Sequence, residues 1–131
     1  MNKKQYNILL VEDVKIAQIV AISTLEDLNC NIDVAENGLC ALQLAGKKYY
    51  DMILMDLGLP DIDGFKVTEN IRKSQGKSCL TQIFALTAHL SDDYKQKAQV
   101  VGMSGFMQKP LTLEEVKNVL EKLVPHSSKR R

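Results

Sequence analysis

No apolar run in this 131-residue chain approaches the ~20 residues that a membrane span needs. The N-terminal Met-Asn-Lys-Lys-Gln-Tyr is followed within two residues by Ile8 to Val11, too short an apolar stretch for a signal peptide, and no small-residue cleavage site follows it. The expectation is a cytoplasmic chain with no membrane contact of its own. An excess of charge is missing too: 17 basic and 16 acidic residues leave +1. Strong binding to a phosphate backbone needs a basic field, so nucleic acid is not an expected partner. The short basic tail Lys129-Arg130-Arg131 reads as a solvated terminus. Cysteines are scarce and odd in number. Cys30, Cys40 and Cys79 lack the spacing of metal ligands and are expected to be reduced and mostly buried.

What is present fits one globular domain with one core, with hydrophobic residues at 45% and charged residues at 25%. Short β-like runs alternate with amphipathic stretches. Residues 7–11 form a continuous apolar run, as in a strand buried on both faces. Residues 14–28 carry a helical stripe at Ala17, Val20, Ala21, Leu25 and Leu28. Residues 31–35 read as a second strand. Residues 38–46 read as a short helix presenting Leu39, Leu42 and Ala45, and residues 51–56 as a third strand. The loop from Gly58 to Gly64 holds Pro60 and two aspartates. A helix over 65–74, a polar stretch over 75–78 and a strand over 82–87 follow. Ser91 caps a helix that runs to Val101 and stops at Gly102. A short strand spans 104–107. Thr112 and Glu115 form a capping box for a last helix with Val116, Leu120 and Leu123 inward, ended by Pro125. Five βα units in a row predict a parallel sheet with right-handed crossovers, covered on both faces. The domain is expected to span 6–124, with tails at 1–5 and 125–131.

In such a sheet, ligands sit beyond the carboxyl ends of the strands. The first strand ends in Glu12-Asp13, the third in Asp56 and the fourth in Thr87; the fifth runs into Lys109-Pro110. Singly, each residue has an ordinary explanation: a helix cap for Asp13, a strand end for Asp56, a β-former for Thr87, a solvated charge for Lys109. Together they are harder to dismiss, because packed carboxylates repel by about 1 kcal/mol or more per close pair. A hard divalent cation with oxygen ligands and room for water, such as Mg²⁺, relieves that repulsion. An aspartate beside it can attack a phosphoryl group, with an ammonium and a hydroxyl sharing the charge.

Four segments carry a resemblance: Leu9-Leu10-Val11-Glu12-Asp13; Met55-Asp56-Leu57-Gly58-Leu59-Pro60-Asp61-Ile62-Asp63-Gly64; Ala85-Leu86-Thr87-Ala88; and Phe106-Met107-Gln108-Lys109-Pro110. In this order, at these strand ends, the chain resembles the response-regulator receiver family of two-component signalling over about residues 6 to 124. It is most like the receivers of hybrid sensor histidine kinases. The resemblance implies a flavodoxin-like (βα)5 fold with strand order 2-1-3-4-5, which the alternation alone does not fix. It implies Asp56 as phosphoacceptor and Glu12, Asp13, Asp56 and the Gly58 backbone carbonyl as Mg²⁺ ligands. It implies Thr87, the Ala88 backbone and Lys109 as phosphoryl-binding groups, with Thr87 and Phe106 as the switch pair. The implied donor is a histidine kinase or a histidine phosphotransfer domain. The output surface would lie over about residues 91–124, and a weak homodimer through the fourth and fifth helices is left open. The chain would be a phosphoacceptor rather than an enzyme, within a hybrid kinase or as a stand-alone regulator. If it belongs to a membrane-bound sensor, it would be the cytoplasmic part.

Departures from the family pattern predict tuning. Phe106 lacks the hydroxyl of the tyrosine that many relatives carry, so its switch contact is purely apolar. Gly58 leaves the acceptor without a side chain over it, which favours attack by water and a short phosphorylated lifetime. His89 is either a tuning residue that steers water or an exposed bystander. Three other patterns fail. Gly76-Lys77-Ser78 has Ile71 where a P-loop needs its first glycine. Asp61-Ile62-Asp63-Gly64 would need an acidic ligand at Leu59 and a glutamate at Asn70 to be a calcium loop, and Asp63 reads as a helix cap instead. A haloacid-dehalogenase-like phosphatase would need an acidic residue at position 58, which is Gly58.

Overall fold

The computed structural model describes residues 5–89 and 91–122. Its elements run β1 (Tyr6–Val11), α1 (Lys15–Leu25), β2 (Cys30–Ala35), α2 (Gly38–Lys47), β3 (Met52–Asp56), α3 (Gly64–Lys73), β4 (Ile83–Thr87), α4 (Asp92–Val101), β5 (Gly105–Gln108) and α5 (Leu113–Glu121). The strands form one parallel sheet in the order β2-β1-β3-β4-β5. This is the flavodoxin-like arrangement, and it sends every carboxyl end to one edge. Every residue of β3 and β4 is buried, which explains their near-continuous apolar sequence.

Alternation along the strands builds two cores. Leu9, Val11, Ile53, Met55, Ile83 and Ala85 face Val67, Ile71 and Ala98 from α3 and α4. Ile8, Leu10, Met52, Leu54, Leu86 and Met107 face Ala21, Leu25, Val116 and Leu120 from α1 and α5. Each fully buried Leu or Ile of these sets stabilises the fold by about 1.5–3 kcal/mol relative to exposure. Helix starts follow the sequence. Asn37, Asp63, Ser91 and Thr112 accept hydrogen bonds from the N–H groups of Cys40, Lys66, Tyr94 and Glu115, each worth about 1 kcal/mol. Gly102 ends α4 at φ 94°, in the left-handed region that glycine adopts freely. The Arg72 guanidinium donates to the Gly102 carbonyl at 2.8 and 3.0 Å and to the Cys79 carbonyl at 2.9 Å, tying the far ends of α3 and α4 together.

Several expectations need correction. The inward stripe of α1 is Gln18, Ala21 and Leu25, while Val20 is exposed and the helix stops at Leu25. Gln18 explains the rotation. Its side chain donates to the Glu12 carbonyl at 2.8 Å in the interior, which turns Ile16, Ile19 and Val20 outward. In α2, Ala45 is inward and Leu42 packs half-buried against the core as expected, but Gly38 and Ala41 complete the inward side and Leu39 is exposed. The α2–α3 approach is too tight for a leucine there: a Cβ on Gly38 would stand 2.8 Å from the Val67 side chain. All three cysteines are half-buried rather than buried. Burial and the nearby Asp51 push the Cys30 thiol up to about 11. The expected roles of Leu123 and Pro125, and most of both tails, lie outside the described residues. Among the described residues, no helix is long and apolar enough to cross a membrane.

Candidate functional site

Strand register brings the sequence-distant acids together. Val11 pairs with Met55 across β1 and β3, so the next residues, Glu12 and Asp56, emerge side by side. The β3–β4 and β4–β5 registers pair Asp56 with Leu86, and Leu86 with Met107. Lys109, two residues beyond Met107, therefore returns to the same face of the sheet. The Lys109–Pro110 peptide is cis, and the Lys109 N–H donates to the Thr87 carbonyl at 2.9 Å.

Lys109 Nζ lies 2.9 Å from Glu12 Oε1 and 3.3 Å from Asp56 Oδ1. Glu12 is 1% exposed and Asp56 7%, so this ion pair is largely screened from solvent on its acidic side. Oxygens of Glu12, Asp13 and Asp56 all lie within 4.8 Å of one another. Asp13 is the most open of the three. It does not cap α1: the N-cap is Val14, which makes no side-chain cap bond. Glu12 Oε2 instead accepts the Val14 N–H at 3.1 Å.

Electrostatics follow from this packing. Burial raises the Glu12 pKa, and the nearby Asp56 raises it further; the bonds from Lys109 and the Val14 N–H only partly oppose this. For Lys109, burial alone would lower the pKa, yet it is raised because the contacts with Glu12 and Asp56 together outweigh burial. The two partners move in the same direction because a single ammonium serves two carboxylates. It is well compensated, and the deeply buried glutamate is not. An all-oxygen donor set with excess negative charge and one carboxylate open to water fits a hard divalent cation such as Mg²⁺.

Asp56 Oδ1 also accepts the Gly58 N–H at 3.2 Å. Backbone packing holds Asp56 from below. A Cβ on Gly64 would stand 2.6 Å from the Asp56 carbonyl oxygen and 3.0 Å from the Leu57 Cα, so only glycine lets α3 start this close to β3. A cleft of about 320 Å³ opens over Asp56, lined by Asp56, Gly58, Thr87, Ala88 and Lys109 among others.

Thr87 and Phe106 lie on the other face of the sheet from Asp56. Ala85 pairs with Phe106, and Thr87 with Gln108. The Thr87 hydroxyl donates to the His89 carbonyl at 2.8 Å and accepts the His89 N–H at 3.1 Å. Phe106 is half-buried against the core beneath α4. The backbone of His89 thus holds Thr87, while residue 89 itself is exposed.

Sequence reasoning missed five contributing residues. Gln18 supports Glu12 from α1; its signal was a polar residue at i, i+3, i+7 spacing with Ala21 and Leu25. Asp61 accepts the N–H groups of Gly38 at 2.8 Å and Leu39 at 3.0 Å, pinning the loop after β3 to α2. Phe65, Tyr94 and Lys97 line the cleft from α3 and α4, a juxtaposition that only helix packing creates.

Residues 8–121 match the model of the response regulator receiver domain family. The aerobic respiration control sensor protein ArcB of Escherichia coli K12 is 36% identical over 88% of this chain, which spans only 15% of that protein. The probable transcriptional regulator ycf29 of Porphyra purpurea is 32% identical over 94% of the chain and is covered over 58% of its own length. Among solved structures, the receiver domain of the sensor histidine kinase PA1611 of Pseudomonas aeruginosa superposes with a TM-score of 0.81 at 31% identity, covering 90% of this chain and 96% of that one. That structure has a magnesium ion coordinated in its active site cleft. The chemotaxis protein CheY4 of Vibrio cholerae superposes with a TM-score of 0.80 at 30% identity, covering 92% of this chain and 99% of that one.

Proposed function

The chain belongs to the response regulator receiver domain family of two-component signalling, and on that premise we propose that it accepts a phosphoryl group from a phosphohistidine onto Asp56 and changes shape for a partner. One observation carries the reading: Lys109 Nζ bridges the buried Glu12 and Asp56 carboxylates while Asp13 stands within the same 4.8 Å cluster.

The chemistry follows from how Asp56 is held. Lys109 and the Gly58 N–H both engage Oδ1, which orients the carboxylate and turns Oδ2 toward attack. The new bond joins Oδ2 to phosphorus. The phosphorus–nitrogen bond of the phosphohistidine breaks while the other ring nitrogen carries a proton, and the electron pair stays on the released nitrogen, so neutral imidazole leaves. Mg²⁺, held by Glu12, Asp13, Asp56 and the Gly58 carbonyl, would when bound neutralise charge on the carboxylates and on the transferring oxygens. Lys109 balances charge on the far side. Thr87 leaves its turn with His89 to bond a phosphoryl oxygen, redirecting the hydroxyl proton from the His89 carbonyl and giving up the bond it accepts from the His89 N–H, and the Ala88 N–H supplies a second donor. This differential bond biases the backbone at Ala88 and His89 and the space beside Phe106. The output partner then reads α4, β5 and α5. The protein acts as a stoichiometric acceptor rather than a turnover enzyme, since Gly58 offers no acid for a phosphatase cycle.

A surface suited to the donor adjoins the cleft. Val14, Ile16, Ile19 and Val20 are 52%, 70%, 57% and 43% exposed along α1. Beside them an apolar hollow of about 240 Å³ runs from Ala17, Val20 and Ala21 to Pro110 and Leu111, with Glu12 and Lys109 also in its lining. Exposed apolar surface next to charged groups fits a protein partner. We place the chain within a hybrid sensor kinase, in line with its likeness to such receivers; the likeness to ycf29 keeps a smaller regulator as the second reading.

Incubation with a phosphorylated histidine phosphotransfer domain and Mg²⁺ should transfer one phosphoryl group per chain, seen as one added phosphate in the intact mass. Continuous hydrolysis of varied phosphomonoesters would instead favour the phosphatase, and no transfer from any phosphohistidine or acyl phosphate would leave only a binding module.

A further inference from the structure

Two ammonium groups line the acceptor cleft, and the role proposed above uses only one of them. Lys109 is committed to Glu12 and Asp56. The other is Lys97 on α4. Its Nζ sits 5.4 Å from the centroid of the Phe65 ring, and Phe65 meets Tyr94 edge-on at 5.6 Å and 72°. Among the described residues no carboxylate lies within ion-pair distance of Lys97, whereas Lys66 and Lys73 on the neighbouring α3 both pair with Glu69. The same three side chains, Phe65, Tyr94 and Lys97, also line an outer groove of about 590 Å³ between α3 and α4. Lys97 thus stands on the wall between two open spaces, with room for its flexible stem on either side.

A ring face holds an exposed ammonium weakly, by about 0.5–1 kcal/mol, and releases it when a stronger anion arrives. A phosphoryl group brings close to two negative charges into this cleft. Lys109 already balances two carboxylates, so the new charge lacks a cation from the protein on the α4 side. We propose that Lys97 is a second phosphoryl-site cation, parked over Phe65 in the free protein and drawn onto the phosphoryl oxygens of an incoming acyl phosphate and of phosphorylated Asp56. The proposal rests on the acceptor role of Asp56. It adds a link from the phosphoryl group to α4 that does not pass through Thr87, because release of Lys97 removes one of the contacts between α3 and α4.

The test uses the full chain, Mg²⁺ and acetyl phosphate as the donor, with intact mass followed over time. Lys97→Met keeps the apolar stem and removes the charge at an exposed helix position, so the fold is retained. Its labelling rate at low donor should fall about fivefold, with a shallower dependence on salt, and Lys97→Arg should restore both. Nuclear magnetic resonance of ¹³C-lysine protein should show a ring-current shift at Lys97 that Phe65→Leu abolishes and that phosphorylation removes. If Lys97→Met stays within about twofold of a normally labelled wild type, or if the Lys97 resonance is unmoved by phosphorylation, the proposal fails while the acceptor role stands. If the wild type itself takes no phosphoryl group, the acceptor role fails first and this one with it.

Discussion

Replacing Asp56 by asparagine should reduce phosphoryl incorporation to background while leaving the fold intact. The amide is isosteric with the carboxylate, and its oxygen can still accept the Gly58 N–H that Oδ1 accepts at 3.2 Å. It keeps a weaker, uncharged contact with Lys109. What it lacks is the nucleophile, since a carboxamide oxygen cannot form a stable acyl phosphate. Intact mass after incubation with acetyl phosphate and Mg²⁺ should therefore show one added phosphate on the wild type and none on Asp56→Asn, with the two giving the same circular dichroism. Full labelling of the variant would move the acceptor to another side chain.

Lys109→Ala should have the largest energetic effect. Glu12 is almost wholly enclosed, and Lys109 is its partner at 2.9 Å. Removing one member of a buried ion pair can cost 3–5 kcal/mol, but the lysine side chain is 30% exposed, so ~1–3 kcal/mol is expected at neutral pH without metal. The pH dependence has a definite sign. The folded-state pKa of Glu12 already lies above its ordinary 4.5, so the folded protein takes up the proton more readily than the unfolded chain. Stability from this group therefore rises as pH falls through its folded pKa and is lost as pH rises through it. Without Lys109 that pKa climbs further, so the deficit of the variant should be greatest near neutrality and shrink on acidification. Mg²⁺ should also shrink it, by supplying the missing positive charge. Urea unfolding across pH, with and without Mg²⁺, measures both. Since Lys109 also touches the phosphoryl group in this account, the variant should bind Mg²⁺ but lose the change in partner binding that follows phosphorylation. A deficit independent of both pH and Mg²⁺ would mean that Lys109 acts only as a packing residue.

Much of the site was legible because strand parity is rigid. Glu12, Asp56 and Lys109 fall on one face of a parallel sheet, and Thr87 and Phe106 on the other; once the order β2-β1-β3-β4-β5 is known, their positions follow. The order itself came from a family resemblance, since alternating strands and helices are compatible with several crossover patterns. Helix starts at Asn37, Asp63, Ser91 and Thr112 are local chemistry, although the cap at Asn37 was not anticipated from the pattern.

What the sequence hid is long-range. Helix faces were misjudged where a polar side chain had an interior partner, as Gln18 does with the Glu12 carbonyl, or where helices approach too closely for large residues, as at Gly38. The Arg72 clamp and the Phe65–Tyr94–Lys97 stack join α3 to α4 through contacts with no signature in spacing. The turn between Thr87 and His89 was equally invisible, although the proposed switch would have to break it.

The central claim is that Glu12, Asp13 and Asp56 form one divalent-cation site beside the acceptor. Residue-resolved nuclear magnetic resonance during a Mg²⁺ titration tests it most directly. The account predicts one saturable set of shifts centred on residues 12–14 and 56–58, abolished by Asp13→Asn. Shifts that never saturate, or that centre on a different part of the surface, would contradict it.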